Sequence, residues 1–361
     1  MWKNSVVARQ LGLHVPIIQG PFGGGLSSVE LVTAVSEAGG LGSFGAHHLS
    51  AEQILQVTAD IRARSSRPFA LNLWIPHQGS DEPQISEAEF QRTIALLQPY
   101  FDELGLELPV LPAQFWPRYA DQISAVLEAR PAVFSFVYGV PSAEILEQCK
   151  ALGIVTLGAA TTADEAIALE QAGVDMVVAS GFEAGGHRVS FLHEPEQSLT
   201  GTMALVPQVV DAVSCPVIAA GAIADGRGIA AALSLGAAGV QIGTAFLACQ
   251  ESAASAVHRA ALFSPQAKST ALTRAFTGRL ARGIRNRFVD EMQARQEELP
   301  AYPVQAWLTG KIKAAAVAQG RAELISLWAG QAAPLLRHRS AHALLQSLVA
   351  ETSEILGRYK T

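Results

Sequence analysis

A glycine-rich segment that ends in a histidine is the part of this sequence best suited to chemistry. It reads GFEAGGHR over residues 181–188. Adjacent glycines allow the backbone to pass close to a ligand, and an imidazole, whose ordinary pKa is near 6.5, exchanges protons at neutral pH. A lone histidine is usually just a hydrogen-bonded structural residue. The glycine-rich surroundings of His187 nevertheless favour a role as a general acid or base.

Two further glycine loops have the composition of a phosphate site. One reads GAIADGRG over residues 221–228, and the other begins with Gly243 and Thr244. Backbone amides approach phosphate oxygens closely only where no Cβ intervenes, which is why glycine is needed there. In (β/α)₈ barrels the loops after strands seven and eight commonly form such a site. We therefore predict a phosphate site on these two loops.

Other polar residues lie beside apolar segments. The loop GPFGGG covers residues 20–25, and Asn72 lies inside the apolar run ALNLW. A buried asparagine needs hydrogen-bond partners, and the sequence leaves open whether the protein or a ligand supplies them. His47 and His48 follow another apolar run. One of them could face a pocket, and we expect solvent exposure for at least one.

Three patterns argue against other site types. The run GLGSFG over residues 40–45 matches the dinucleotide fingerprint GxGxxG, but it follows a helical pattern and contains a strand, whereas the fingerprint leaves a strand and opens a helix. The histidines show no HxH or HExxH pairing, so no metal site is predicted. Cys149, Cys215 and Cys249 lie far apart without a CxxC, as expected for reduced thiols.

A repeated helix–glycine–strand unit would position these loops. Gly39, Gly153, Gly173 and Gly236 each follow a helical pattern and precede a short apolar run. Such a glycine ends the helix, and the run suits a strand of a parallel sheet that is covered on both faces. The predicted strands are Pro16–Gln19, Leu41–Phe44, Phe69–Leu73, Val133–Val137, Ile154–Leu157, Met176–Ala179, Val217–Ala220 and Val240–Ile242. Their number, eight, favours a closed (β/α)₈ TIM barrel over an open doubly wound sheet.

The chain is longer than such a barrel requires. It has 361 residues, whereas a barrel needs about 250. We predict an α/β barrel over residues 1–249 with a helical insertion at about 76–131, and a mostly helical region over residues 250–361. Both additions are interpreted as a cap over the barrel mouth. For the end of the second region, packing on the outer ring is a nearly equal alternative.

Composition narrows the range of partners. Hydrophobic residues make up 49% and charged residues 16% of the chain, and the net charge is −6 without a basic stripe, which argues against nucleic acid. Residues 228–249 carry no charge over a length that could span a bilayer. Gly236 and Gly239 interrupt this stretch, so it is predicted to be a buried helix, turn and strand. No signal peptide is evident, and we expect a soluble cytoplasmic protein that does not bind membranes.

Together these segments resemble the FMN-dependent nitronate monooxygenases, formerly called 2-nitropropane dioxygenases. The matching segments are PIIQGP at 16–21, Asn72 in its strand, 181–188, 219–228, QIGT at 241–244 and SLWAGQ at 326–331. The resemblance therefore covers nearly the whole chain. Its most specific part, EAGGH at 183–187, is shared with the FMN-dependent enoyl-ACP reductases of bacteria.

The resemblance implies FMN as the cofactor and His187 as the catalytic base. The expected FMN-binding residues are Gly20, Pro21, Phe22, Asn72, Ser180, Gly185, Gly186, Gly221, Ala222, Gln241, Ile242, Gly243 and Thr244. Two positions depart from the family pattern. Ser180 stands where glutamine is common, which would shorten the reach of a hydrogen bond to the flavin ring. Ala222 replaces a glycine, which is tolerable only if its backbone angles stay in the ordinary region.

The implied reaction is the oxidation of alkyl nitronates by O₂ to carbonyl compounds and nitrite. A protonated His187 would hold the nitronate anion, whereas a neutral His187 would remove the α-proton of a nitroalkane. One alternative is an NAD(P)H-dependent FMN reductase acting on enoyl thioesters or quinones. A barrel aldolase or isomerase is disfavoured because Lys311 and Lys313 lie on a late predicted helix rather than at a strand end.

Several questions stay open at this level. The sequence leaves undecided the physiological substrate, the use of NAD(P)H, and an oligomeric state for which a homodimer is one candidate. It also leaves open which of His47, His48, Tyr302 and Lys311 face the pocket.

Overall fold

A barrel of parallel strands forms the body of the protein in the computed structural model, which describes residues 2–76 and 85–358. The barrel strands are β1 (Ile17–Gln19), β2 (Gly42–Gly45), β3 (Phe69–Trp74), β4 (Val133–Val137), β5 (Val155–Ala160), β6 (Met176–Ser180), β8 (Val217–Ala220) and β9 (Gly239–Ile242). They pair in the order β1-β9-β8-β6-β5-β4-β3-β2. A parallel bridge between Ile18 and Leu41 brings the two end strands together. The predicted (β/α)₈ TIM barrel is confirmed.

The eight predicted strands lie where the sequence places them, with small shifts at their ends. Gly42 and Gly45 bound β2, so the GxGxxG match does contain a strand, as expected. A Cβ at Gly42 would meet the Val32 carbonyl oxygen at 2.2 Å, and one at Gly45 would meet the Phe22 carbonyl oxygen at 2.2 Å. Close packing within the barrel therefore explains these glycines without a bound dinucleotide.

Helices surround the barrel and fill the two additional segments. They are α1 (Val6–Leu11), α2 (Val29–Glu37), α3 (Ala51–Arg64), α4 (Glu87–Glu103), α5 (Tyr119–Ala129), α6 (Ala143–Ala151), α7 (Ala163–Gln171), α8 (Thr202–Ala212), α9 (Gly226–Ser234), α10 (Thr244–Leu247), α11 (Ala256–Leu262), α12 (Arg287–Gln293), α13 (Val304–Ala318) and α14 (Ala341–Arg358). Ser28 and Thr162 cap α2 and α7 by accepting the backbone N–H three residues on. Within the described ranges, no helix is long and apolar enough to cross a membrane.

Helix α1 closes the amino end of the barrel. Its Val7 and Leu11 join the buried cluster inside the barrel, which includes Ile18 and Ile218. A Cβ at Gly239, where β9 begins, would lie 3.6 Å from the Val7 side chain. Because this end is filled, a ligand can enter only at the opposite, carboxyl end of the strands.

The region after residue 250 contains a small antiparallel sheet that the sequence analysis missed. Strands β10 (Thr270–Thr273) and β11 (Ala281–Ile284) form a hairpin, and β11 also pairs with β7 (Gly186–His187). In the register, Ala281 lies opposite His187. The second half of the chain is thus hydrogen-bonded to the loop that carries the candidate base.

The two additional segments have different positions. Ser86 caps α4, which covers most of the predicted helical pattern in the insertion; residues 77–84 of that insertion lie outside the described part. Helix α14 packs against α9 and α2 on the outer ring, so the end of the chain follows the alternative of outer packing rather than capping. Other parts of both segments reach the barrel mouth.

Candidate active site

A cavity of about 420 Å³ opens at the carboxyl ends of the barrel strands. That volume lies within the range typical of small-molecule sites. Its wall combines the glycine loops after β1, β6, β8 and β9 with side chains from the insertion and from the region after residue 250. The predicted site residues that line it are Gly20, Pro21, Phe22, Asn72, Ser180, Gly185, Gly186, His187, Gly221, Ala222, Gln241, Gly243 and Thr244. Ile242 is the exception, because its side chain is buried in the hydrophobic core.

The loops after β8 and β9 provide the amides that a phosphate would need. A Cβ at Gly243 would find only the Phe22 ring, 3.9 Å away, so this position faces open space. No hydrogen bond joins the amides of Ala222, Gly243 or Thr244 to another residue in the described ranges. These residues fit a bound phosphate group of a mononucleotide.

The N-terminus of α9 is already occupied by the protein's own carboxylates. Asp225 accepts from the amides of Arg227 and Gly228 at 3.0 and 3.3 Å, and Glu351 of α14 accepts from the amide of Gly226 at 3.0 Å. These bonds satisfy the helix donors and place negative charge there. The free amides of the phosphate site are therefore those before α9 and at the start of α10.

Ala222 has a backbone conformation that the sequence analysis treated as intolerable. Its φ is +55°, in the left-handed region, and the preceding Gly221 has a φ of +114°. A side chain with a Cβ is strained at such an angle, and strain of this kind persists only where the surroundings enforce it. The expectation of ordinary angles at Ala222 is wrong, and the strain lies next to the free amides.

Asn72 has unused hydrogen-bonding capacity at the pocket wall. Its Nδ2 donates to Ser135 Oγ at 3.0 Å, and its Oδ1 has no partner in the described part of the chain. The structural interpretation therefore accounts for Nδ2, and ligand binding by Oδ1 stays a prediction. Gln241 and Ser180 also line the cavity, so polar groups are available on β3, β6 and β9.

A buried arginine fixes the start of the loop that leads to His187. Arg188 is 1% exposed and donates to the carbonyl oxygens of Ser180, Gly181 and Ser198 at 3.1, 2.8 and 2.8 Å. Its charge therefore faces inward, towards backbone carbonyls and away from the cavity. Burial lowers the pKa of Arg188 to about 10, which leaves it charged at neutral pH.

The segment SLWAGQ at 326–331 ties two of the glycine loops together. The amide of Gly330 donates to Thr244 Oγ1 at 2.9 Å, and the amide of Gln331 donates to the Glu183 carbonyl oxygen at 2.9 Å. A Cβ at Gly185 would meet the Gly330 amide nitrogen at 2.5 Å. Glycine is required at position 185 because this late segment packs directly onto its backbone.

His187 lies in an aromatic pocket and hydrogen-bonds to the β10–β11 hairpin. Its Nε2 is 2.9 Å from Thr277 Oγ1. The rings of Trp74 and Trp328 lie 4.9 and 5.4 Å from the imidazole, centroid to centroid. Burial, reinforced by the charges of Arg279 and Lys313, lowers the pKa of His187 to about 3. His187 is therefore neutral at physiological pH, contrary to the expectation of a protonated histidine holding an anion. A ring nitrogen is free to accept a proton, while the low pKa makes the imidazole a weak base.

His47 and His48 both line the cavity; His47 is buried and His48 is half-buried. His47 is 7% exposed and stacks on Trp74 with 3.8 Å between the ring centroids. Burial lowers the pKa of His47 well below its ordinary value and that of His48 to about 4. The expected solvent exposure is found only in part, at His48, whereas Trp74 and the nearby Trp116 cover His47 at this side of the barrel mouth.

Lys313 is the functional candidate that sequence reasoning missed. It lines the cavity with Tyr302, whereas Lys311 is exposed and its Nζ lies 4.2 Å from the centre of the Trp307 ring. Burial lowers the pKa of Lys313, and no acidic partner contacts it within the described residues. The signal was present: Ala306, Gly310 and Lys313 have i, i+4, i+7 spacing and share one helix face.

The described lining of the cavity carries positive charge and no negative charge. Lys313 is the one charged side chain among its described lining residues, which include no aspartate or glutamate. The described residues contain no group of three or more His, Cys, Asp or Glu side chains arranged to hold a metal. Such a cavity would suit an anionic ligand beside a neutral imidazole.

Comparison with known proteins gives consistent results along the whole chain. The family model described as nitronate monooxygenase matches residues 5–351. A probable nitronate monooxygenase of Staphylococcus aureus (strain Newman) is 40% identical over 361 residues, which is 100% of both chains. One of Staphylococcus haemolyticus is 41% identical over 359 residues, 99% of each.

Two solved structures are similar to this chain along nearly its whole length. Nitroalkane oxidase from Streptomyces ansochromogenes superimposes with a TM-score of 0.88 at 36% identity, covering 98% of this chain and 99% of that one. FabK from Thermotoga maritima follows with a TM-score of 0.75 at 27% identity and 98% coverage of both chains.

Proposed function

Because this chain belongs to the nitronate monooxygenase family, we propose that it uses FMN and O₂ to oxidise alkyl nitronates to carbonyl compounds and nitrite. Membership of the family makes it an oxidoreductase. The specific substrate, the oxidant and the identity of the flavin are the parts that we add.

The observation that carries this proposal is the pairing of a neutral histidine with a lone ammonium in one cavity. A nitronate is an anion whose charge lies on its nitro oxygens. Lys313 supplies the opposite charge without a competing carboxylate among the described lining residues. Removal from water strengthens an ion pair that forms inside such a cavity, provided that both charges are present. A nitronate would supply the partner that Lys313 lacks.

The glycine loops support a mononucleotide as the cofactor. Free amides at Ala222, Gly243 and Thr244 suit one phosphate group, while Asn72 and Gln241 offer hydrogen bonds at the strand ends. We infer from this set that FMN binds without a covalent link. When bound, FMN supplies the electron transfer between the substrate and O₂.

The protein's own residues have separate tasks in this proposal. Lys313 holds the nitro oxygens, and the rings of Trp74, Tyr302 and Trp328 limit the access of water. If the substrate arrives as a neutral nitroalkane, His187 accepts its α-proton. The electron pair of the broken C–H bond stays on the substrate, which becomes the nitronate.

Anaerobic reduction of the purified protein tests this proposal. We expect a yellow protein with one FMN per chain whose visible absorption bleaches on addition of ethylnitronate and recovers when O₂ is admitted. NADPH in place of the nitronate is the matched control. Bleaching by NADPH alone would support the reductase alternative, for which the likeness to FabK gives a reason. A colourless protein that does not take up FMN would overturn the flavin assignment.

A further inference from the structure

The hairpin between β10 and β11 holds His187 from outside the barrel. The backbone of His187 pairs with Ala281, and its Nε2 lies 2.9 Å from the Thr277 hydroxyl at the hairpin tip. Thr277 is 8% exposed and lines the cavity. Nδ1 of His187 has no partner in the parts of the chain that the structure describes.

The hydrogen bonds of Thr277 determine where its single proton lies. Besides His187 Nε2, Thr277 Oγ1 contacts the carbonyl oxygen of Arg279 at 3.2 Å and the amide nitrogen of Arg279 at 3.3 Å. A hydroxyl has one proton to donate and two lone pairs to accept with, while a carbonyl only accepts and a backbone amide only donates. All three contacts are satisfied at once when the proton goes to the Arg279 carbonyl and one lone pair takes the Arg279 N–H.

In that arrangement the remaining lone pair of Thr277 faces His187, which makes Nε2 the donor in that bond. A neutral imidazole with a proton on Nε2 has its basic lone pair on Nδ1. We propose that Thr277 is a positioning residue that holds His187 in the Nε2–H tautomer and leaves Nδ1 to accept the α-proton of the substrate. This proposal rests on the proposed role of His187 as a base.

The hairpin tip is fixed against rotation on both sides. Gly278 has a φ of +74°, and a Cβ there would meet the Pro300 carbonyl oxygen at 2.4 Å. The guanidinium of Arg279 lies between the rings of Tyr138 and Tyr302, at 3.9 and 4.3 Å from their centres. These contacts hold the backbone of the hairpin tip that carries Thr277 in place.

The groups facing the imidazole keep it neutral, so the choice of tautomer matters. Arg279 approaches from the hairpin, Lys313 from α13, His47 from the loop after β2 and Tyr138 from the end of β4. Arg279 and Lys313 are cationic and oppose a second proton on His187. The base thus works with one proton on the ring, and Thr277 decides which nitrogen carries it.

Nitrogen NMR of the flavin-loaded protein with ¹⁵N-labelled histidine tests the proposal directly. We expect a protonated, pyrrole-type Nε2 and an unprotonated, pyridine-type Nδ1 for His187, with the signals assigned by their loss in His187→Asn. Thr277→Ser should keep this pattern, and Thr277→Val should give a mixture of tautomers. A wild-type ring protonated on Nδ1, or an unchanged tautomer in Thr277→Val, would overturn the proposal.

Turnover of a neutral nitroalkane provides the second measurement. Thr277→Val should lower kcat on nitroethane by about tenfold or more while KM changes little. Thr277→Ser, which keeps the hydroxyl, should retain most of the wild-type kcat. Thr273→Val is the matched control, since Thr273 is buried in the same hairpin and its hydroxyl accepts from the Ala275 amide and, within the described residues, has no contact with His187. That control should leave the tautomer and kcat unchanged. If Thr273→Val lowered kcat as much as Thr277→Val does, the effect of both substitutions would be structural alone.

The two measurements separate the possible failures. If the protein oxidises no nitro compound, the proposed function fails while the NMR pattern still tests the role of Thr277. If nitroethane is oxidised normally by Thr277→Val, the positioning role fails and the proposed function stands.

Discussion

The imidazole of His187 is neutral in a buried pocket, so its value to the enzyme depends on whether the substrate still has an α-proton. General-base catalysis typically contributes 10²–10⁴-fold in rate, on the order of the loss expected when the base is removed. His187→Asn should therefore depress turnover of nitroethane severely. It should spare much of the activity on ethylnitronate, because that substrate is already deprotonated and asparagine still donates a hydrogen bond. Oxygen uptake at saturating substrate measures both. Equal losses would mean that His187 only positions substrate or flavin.

We expect the ammonium of Lys313 to lower the stability of the fold and to bind the anionic substrate. Lys313 is half-buried in the cavity without an acidic partner among the described residues, and holding an ammonium there costs free energy that an apolar side chain of similar length would not. Lys313→Met should raise the melting temperature and, by removing the positive charge, raise KM for ethylnitronate about tenfold or more, with little change for neutral nitroethane. Lys311→Met is the control, because Lys311 lies on the same helix outside the cavity. A lower melting temperature in Lys313→Met than in this control would contradict the argument.

At the scale of single elements, the loop after β9 can be altered without disturbing the fold. Gly243 has a φ of −96° and open space where a Cβ would lie, so Gly243→Val fits the backbone but fills the approach to the amides. We expect a large loss of FMN affinity, measured by fluorescence titration, with a nearly unchanged melting temperature of the apoprotein. Gly357→Val, also in open space but far along α14, serves as control. Full FMN retention in a folded Gly243→Val protein would place the phosphate elsewhere.

The loop after β8 stores strain that a substitution can release. Ala222→Gly removes a Cβ that is strained in the left-handed backbone region, which stabilises the folded state by about 1 kcal/mol. The greater freedom of glycine in the unfolded chain offsets part of this stabilisation. The variant should be as stable as the parent or slightly more stable in urea unfolding. Ala231→Gly, in the interior of the following α9, should lower the free energy of unfolding by about 1 kcal/mol. Equal losses at both positions would mean that Ala222 is not strained.

At the scale of the whole molecule, local patterns predicted the barrel and most of the cavity wall. The barrel strands are short and mostly apolar runs, and four of the eight follow a helix-ending glycine, so periodicity and turn residues suffice to find them. The loops around Gly221, Gly243 and His187 follow from the rule that ligands bind at the carboxyl ends of barrel strands. Their roles in binding FMN stay predictions.

The parts that sequence reasoning missed depend on contacts between distant segments. Strand β11 is short, and its partner β7 is only two residues long, so neither has a pattern of its own. Thr277 meets His187 across ninety positions of the chain. The burial of His47 depends likewise on aromatic side chains supplied from other elements. Such pairings arise from tertiary packing and leave no local signal in one sequence.

The pairing of His187 with β11 also has a consequence for synthesis of the protein. A ribosome that has just added Cys249 has made every barrel strand and every glycine loop at the mouth, but Thr277 and Ala281 are still untranslated. Domains generally fold as units as they emerge, at about 5–20 residues per second. We therefore expect the imidazole to be aligned only after the barrel strands have been made, so that chains ending before Thr277 lack an oriented base and stay inactive.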